Sequence, residues 1–268
     1  MKGLINAWQD KLILVVGDPG YDVYHFGHVD RVSPEAPVPV FVEDAIEDRP
    51  GLAYNVCQNL AGLGCKPIQC FPPQPWIVKR RFMVGTHQLL RVDKDQVYKP
   101  SKDDIPSLDG IYAVVFSDYA KGWLDSYFVT TILCRAKEAG IPTIVDPKDP
   151  DWTKYRGATV ICPNHREMDQ WVQNNWGVTR PANLLIKRGA NGITLDQNGS
   201  ITDFPSNAKN VFDVTGAGDT VVATVAATLA AGGSLESAAK LANLAAGHVV
   251  GIVGTAYCPA ETLRNLCA

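Results

Sequence analysis

The chain contains no run of ~18 or more apolar residues, so no segment reads as a transmembrane helix. It has no Cys-x-x-Cys pair. Its seven cysteines are scattered and odd in number, which argues against a disulfide framework or a zinc site and points to reduced thiols in the cytoplasm. It also lacks a marked charge of either sign. The net charge is −3, so neither nucleic acid nor an anionic membrane surface is an expected partner. Residues 1–10 carry Lys2, Gln9 and Asp10 and lack the apolar core of a signal peptide. No internal repeat or low-complexity tract appears. What remains is 268 residues of ordinary composition, enough for one large α/β domain or one domain with a small appendage.

The apolar pattern alternates between strands and helices. Lys11 to Val16 reads as a buried strand closed by Gly17-Asp18, and Val38 to Val42 as a proline-flanked strand suited to a sheet edge. Ala53 to Leu63 has helical spacing and stops at Gly64. Ile111–Phe116, Tyr127–Ala139 and Thr143–Val145 form a strand–helix–strand unit. Thr159–Cys162 and Leu184–Ile186 add two strands, and Asn198-Gly199 joins a hairpin of Gly192–Leu195 with Ser200–Phe204. Helices follow from Asp219 and Leu235. Such alternation implies a largely parallel sheet covered on both faces, with ligands at the carboxyl ends of the strands. Gly17-Asp18, Ser117-Asp118, Asp146 and Asn164 each follow a strand and converge on that edge. Asp22 to Val42 and the stretch around Arg80 to Val92 break the alternation and read as an exposed sheet.

Asp213-Val214-Thr215-Gly216-Ala217-Gly218-Asp219-Thr220 carries the most chemistry. The string opens an apolar helix with no breaker until Gly232-Gly233. The first turn of a helix offers unpaired N–H groups and a positive dipole end, and Gly216 and Gly218 let an anion approach that backbone. A carboxylate at Asp219 would repel a phosphate that was merely bound there. It makes sense where a proton must be taken from an attacking hydroxyl, as in phosphoryl transfer. The competing reading is a glycine turn with an aspartate cap. Asn164-His165-Arg166-Glu167 has the form of a capping box, with Glu167 also able to help hold a hydrated cation.

Together these residues resemble the ribokinase-like (PfkB) carbohydrate kinases, and the resemblance runs over most of the chain. Val15-Val16-Gly17-Asp18 with Asp22, Arg31 to Val40, Arg49-Pro50-Gly51 with Asn55, Ser117 to Gly122 and Asp146-Pro147-Lys148 are similar to one branch in particular. That branch is the D-glycero-β-D-manno-heptose 7-phosphate kinases, including the kinase half of the bifunctional kinase/adenylyltransferase. The resemblance implies an α/β three-layer sandwich with a mostly parallel central sheet. It implies a single kinase domain over residues 1–268, with a β lid from about 22–50 and 78–93 through which two subunits pair. The implied reaction is Mg²⁺-dependent transfer from ATP to the anomeric hydroxyl of heptose 7-phosphate, giving the 1,7-bisphosphate for a nucleotide-heptose used in a cell-surface glycan. Another sugar or sugar phosphate as acceptor, or a non-catalytic binding protein, are the alternatives.

The implied roles follow the matching positions. Asp219 is the base, and Gly216, Ala217 and Gly218 form the anion hole. Asp18, Asp22, Gly51, Asn55 and Lys121 face the sugar. Asn164, Glu167, Lys187, Arg188, Gly189, Gly192 and Asn243 face the nucleotide, with Glu167 reaching Mg²⁺ through water. Lys187 and Arg188 fit equally as solvated strand-end charges, and Asn243 as a polar residue on a helix surface. Arg49, Arg81, Arg91 and Lys121 are unranked candidates for the cation that a phosphorylated sugar needs.

Three features depart from the family. Leu52 stands where a second glycine usually provides a hinge. Cys70 to Trp76 leads almost directly to the lid, so a helix and a strand are expected to be missing. Gln170 to Pro181 is a shortened helical connection. His25-Phe26-Gly27-His28 matches a nucleotidylyltransferase signature, but that signature needs a helix, and Val29 to Pro34 reads as extended. No adenylyltransferase half is expected to follow Ala268.

Overall fold

A computed structural model describes residues 1–174, 180–208, 210–252, 254 and 256–267. Strands β1 (Leu12–Gly17), β4 (Lys66–Cys70), β7 (Ala113–Ser117), β8 (Thr143–Asp146), β9 (Val160–Ile161), β10 (Asn183–Lys187), β11 (Ile193–Gln197) and β12 (Ser200–Phe204) form one sheet. Its order is β12-β11-β10-β9-β8-β7-β1-β4. The pairs from β4 to β10 are parallel, and β11 and β12 add an antiparallel hairpin at one edge. The hairpin turns at Asn198-Gly199, as the dipeptide predicts.

Alternation along β1 sends Ile13 and Val15 to one face and Leu14 and Val16 to the other, and each pair enters a separate apolar core. Helices α1 (Lys2–Asn6), α2 (Ala53–Gly62), α5 (Ala217–Ala230), α6 (Leu235–Val249) and α7 (Ala260–Leu266) cover the first face. Helices α3 (Ser126–Glu138) and α4 (His165–Asn174) cover the second. This is the expected three-layer sandwich. Helix α5 is buried around nearly its whole circumference, and its Ala, Val and Thr side chains suit close packing. Buried Thr224 and Thr228 donate their hydroxyls back to the carbonyls of Thr220 and Thr224, so no polar group is stranded there.

Four further strands, β2 (Pro19–Val32), β3 (Pro39–Leu52), β5 (Ile77–Val84) and β6 (His87–Lys94), form a second sheet in the order β3-β2-β5-β6. This is the lid sheet. The strand expected at Val38–Val42 lies at its edge and runs on through a polar stretch to Leu52. His25 to His28 lies within extended β2, where no helix can present both histidines to a nucleotide. Beyond Cys70 the chain passes straight into β5, leaving β4 as the outer strand of the large sheet. The amide of Lys66 bonds back to Lys11, so position 67 presents its nitrogen to the open edge. Proline at that position offers no donor to a stray strand. In the Gln170 to Pro181 connection, α4 extends to Asn174, and residues 175–179 lie outside the described residues.

Candidate active site

Gly216 caps α5 with φ 79°, a left-handed conformation that glycine adopts without strain. The turn delivers Asp219 into the first helical turn, 7% exposed. Two donors hold its carboxylate: Asn55 Nδ2 lies 2.6 Å from Oδ2, and the Tyr119 hydroxyl 3.3 Å from Oδ1. Asn55 is itself braced by Asn59, whose Nδ2 reaches the Asn55 carbonyl at 2.9 Å. Thr220 donates to Asn59 Oδ1 at 2.7 Å. Burial, followed by the nearby Asp146 carboxylate, raises the Asp219 pKa to about 6, against the pull of Asn55, Lys187 and Lys148.

Asp219 lies on the wall of a cavity of about 560 Å³. Gly216, Ala217, Gly218, Asn164, Lys187, Gly189, Gly192 and Asn243 line the same cavity, so these candidates are brought together. Lys187, at the end of β10, pairs with Asp146 at the end of β8, and its Nζ lies beside Gly218. Burial opposes the charge of Lys187, but Asp146 and then Glu167 outweigh it and hold the ammonium above the usual lysine range. Val211, Val214, Ala246 and Val250 give the same cavity an apolar lining. Asn243 spans from α6 to the Pro205 carbonyl at 2.7 Å.

Glu167 does not line the cavity. It accepts from the Asn164 amide at 2.7 Å while Asn164 Oδ1 accepts from the Glu167 amide at 2.9 Å, completing the capping box. Its other oxygen takes Lys148 Nζ at 2.5 Å. Arg188 turns away to Thr194 and Asp203 on the antiparallel edge and does not line the cavity. Lys187 is the last residue of β10, whereas Arg188 lies beyond the strand and opens the following turn, so the two side chains part.

The sugar-side candidates gather between the lid and the sheet. Asp18 is fully buried; its Oδ2 accepts from the amides of Tyr119 and Lys121, and its Oδ1 has no protein partner among the described residues. Burial, reinforced by Asp118, raises its pKa to about 6. Asp22 pairs with Arg81, and a side chain at Gly51 would press on Asp22 Oδ2 at 2.7 Å, so glycine is what permits this approach. Lys121 meets Asp18 through its backbone, while its ammonium pairs with Asp95 at 2.6 Å. Its charge is therefore engaged elsewhere.

Tyr119, Asp146 and Lys148 line the cavity and Lys79 stands beside the Tyr119 ring, but none of the four carried an assigned role in the sequence. Tyr119 and Lys148 lay inside quoted motifs, and Asp146 followed a strand. Lys79 had only its place in an alternating lid strand, which sets it on the same face as Arg81. Among the described residues no group of three or more His, Cys, Asp or Glu side chains could hold a metal by itself. Two carboxylates, Asp146 and Glu167, are each tied to a lysine that lines the cavity.

Comparison with known proteins agrees with this geometry. A profile of the pfkB family carbohydrate kinases matches residues 113–263. The bifunctional protein HldE of Pseudomonas syringae pv. syringae is 41% identical over 313 aligned positions, covering 99% of this chain and 65% of the relative. That of Edwardsiella ictaluri is 37% identical over 316 positions, with the same coverage. The chain thus spans 65% of the length of these relatives. The alignments are longer than the chain itself, so the relatives carry segments absent here. Among solved structures, Arabidopsis thaliana ribokinase complexed with ribose and ATP superposes with a TM-score of 0.73 at 16% identity, covering 96% of this chain and 98% of that one. Escherichia coli phosphofructokinase-2 gives 0.69 at 15% identity over 96% and 98% of the two chains. At such identities the likeness is one of fold.

Proposed function

Because the chain belongs to the pfkB family of ATP-dependent carbohydrate kinases, we propose that it phosphorylates the anomeric hydroxyl of D-glycero-β-D-manno-heptose 7-phosphate. The observation that carries this reading is the buried Asp219 carboxylate at the mouth of α5, on the wall of a cavity that also holds Lys187 and Lys148. The acceptor hydroxyl gives its proton to Asp219 as its oxygen bonds to the γ-phosphorus and the bond to the ADP oxygen breaks. The first-turn N–H groups at Gly216, Ala217 and Gly218 receive the charge on the transferring group. Lys187 and Lys148 counter the charge that passes to ADP.

Magnesium fits the donor set as an ion that keeps several waters and arrives with the nucleotide phosphates, with Asp146 directly or Glu167 through water as its protein contacts. When bound it would supply charge neutralisation for the nucleotide phosphates.

An acceptor that is already phosphorylated needs a cation away from Asp219. Lys79 has no ion-pair partner among the described residues, and its Nζ lies 5.5 Å from the Tyr119 ring centre, on the lid side. With Arg81 one step along the same strand face, it is the best cation for the remote phosphate. Asp18, Asp22 and Asn55 are suited to the sugar hydroxyls. The proposal extends to one working unit over residues 1–268, paired with a second copy through the lid and active in the cytoplasm. All seven cysteines are free. Among the described residues no helix is long and apolar enough to cross a membrane.

The test is ADP release from Mg-ATP across sugars and sugar phosphates, with D219N as control. Turnover is expected on heptose 7-phosphate, lowered in D219N by about 10³-fold or more while nucleotide still binds. Turnover on a different sugar alone would overturn the substrate; an active D219N enzyme would overturn the mechanism.

A further inference from the structure

The Ser117 to Gly122 segment is not used by the reaction as described, yet it reaches the reacting carboxylate. Asp118 is buried and held from three sides: Tyr155 donates its hydroxyl, Lys154 Nζ lies 2.7 Å away, and the Ala120 amide donates to Oδ1 at 2.7 Å. Asp18 accepts the amides of Tyr119 and Lys121 at 2.9 and 3.3 Å. Between these anchors Ala120 adopts φ 57°, a left-handed conformation unusual for a residue with a side chain. Two buried acids and a strained turn therefore fix a loop of three residues whose only reach into the cavity is the Tyr119 side chain.

That side chain occupies a defined place. Its hydroxyl lies 3.3 Å from Asp219 Oδ1, and its ring centre is 5.5 Å from both Lys79 Nζ of the lid and Lys148 Nζ of the nucleotide side. We propose that Tyr119 is a positioning residue for Asp219, holding Oδ1 by hydrogen bond while Asn55 holds Oδ2. A carboxylate pinned at both oxygens cannot rotate away from the acceptor hydroxyl. Each oxygen still has a free lone pair for the proton. The proposal rests on Asp219 being the base but is independent of which sugar is the acceptor.

The electrostatic consequence has a definite sign. A hydrogen bond to the charged form of an acid favours ionisation, so removing it raises the pKa. Asp219 is faced by Asn55 from α2, Asp146 from β8, Lys148 from the loop after β8 and Lys187 from β10. Tyr119 in turn is faced by Asp146, by Asp22 from β2 and by Lys79 from β5. All of these groups remain when the phenol alone is altered. Burial, and then the carboxylates of Asp219 and Asp146, keep the Tyr119 hydroxyl protonated far above neutral pH, so it remains a donor throughout the working range.

The experiment compares the wild-type chain with Y119F and with site-specific 3-fluorotyrosine at position 119, a more acidic phenol and a stronger donor. Two readouts are taken: the pH profile of kcat, and the titration of the Asp219 carboxyl carbon by ¹³C NMR, assigned by its loss in D219N. Y119F should lower kcat about tenfold, change KM for ATP less than twofold, and move both the acid limb and the Asp219 titration upward by about half a unit to one unit. Fluorotyrosine should move them downward. Opposite shifts cannot arise from damage to the fold. In a D219N background, Y119F should have no further effect. An unmoved titration in both variants, or a Y119F loss confined to KM, would overturn the proposal. The fluorotyrosine protein decides the matter even if Y119F does not fold. If no sugar is turned over, the NMR titration still upholds or overturns the inference, and only the substrate assignment falls.

Discussion

Asp219 is an acid that the fold would rather keep neutral. Its pKa is raised to about 6 by burial first and by Asp146 second, whereas an aspartate in an unfolded chain ionises near ~3.9. Below the unfolded value both states are protonated, and the fold has its full stability with respect to this group. As pH rises through the folded value, the native state must carry a charge it disfavours, and that stability is lost. An asparagine at this position never ionises, can accept from Asn55 and can donate to the Tyr119 oxygen. D219N should therefore match wild type in melting temperature below about pH 4. Above pH 6 it should exceed wild type by an amount on the order of 2–3 kcal/mol, or roughly 4–6 °C. Melting curves from pH 4 to 8 check this, and a difference that is constant with pH would refute it. The carboxylate proposed as the base thus costs stability at neutral pH. Asp219, the glycines before it and the helix they open were legible as an element because they form one local string. Tyr119 was not, because the contact that gives it meaning joins residues a hundred positions apart. Lys79 was hidden for the same reason, as its neighbour in space is Tyr119 and not any residue beside it in the chain.

Strand β3 passes into α2 at Leu52, which has φ 57° and ψ −138° and is 7% exposed. That backbone region is close to glycine-only, so a leucine there carries strain of about 1–3 kcal/mol. Its side chain is retained against this strain because burying it contributes about 2–3 kcal/mol. The two nearly cancel. L52G should consequently change the unfolding free energy by no more than about 1 kcal/mol, whereas L60A in the same helix, fully buried and unstrained, should cost about 2–5 kcal/mol. Urea denaturation of both variants decides it; equal losses would mean that position 52 holds no strain. At this junction the chain keeps a backbone conformation suited to glycine and fills the space with a buried side chain. At the scale of elements, the parallel sheet was readable because its strands are short apolar runs closed by turn residues. The lid strands Pro19–Val32 and Pro39–Leu52 were less so. Pro39–Leu52 is largely exposed and charged, while Pro19–Val32 is half-buried along most of its length with aromatic, histidine and glycine residues mixed along it, so neither carries a clean apolar alternation. Lys2–Asn6 and Ala260–Leu266 were not anticipated, since so few residues cannot display a helical period.

For the whole molecule, the two faces of the lid sheet bear different chemistry, and the register makes the contrast explicit. Glu47, Tyr24, Arg81 and Arg91 lie across the four strands on the face that meets Asp22 and the cavity side. One step along, Ile46, His25, Phe82 and Leu90 lie across the other face, with His25 stacked on Phe82 at 4.6 Å. Ile46 and Leu90 are 55% and 54% exposed there, and Val92 is 42% exposed. An apolar row flanked by charged neighbours is poorly matched to water and well matched to an identical row on a second lid, because a two-fold contact is self-complementary. The same sheet carries Asp22, Lys79 and Arg81 on its other face, so a second copy paired through the apolar row would also bear on the proposed sugar side. Light scattering at micromolar concentration should give twice the chain mass of 29.1 kDa. The double variant I46D/L90D should be monomeric, fold with an unchanged far-UV spectrum, and show a higher KM for the sugar than for ATP relative to wild type. A monomeric wild-type protein would remove the lid pairing from the proposal. A dimeric double variant would place the interface elsewhere. A monomeric variant with unaltered KM would separate assembly from the sugar site, leaving the lid to close over its substrate unaided.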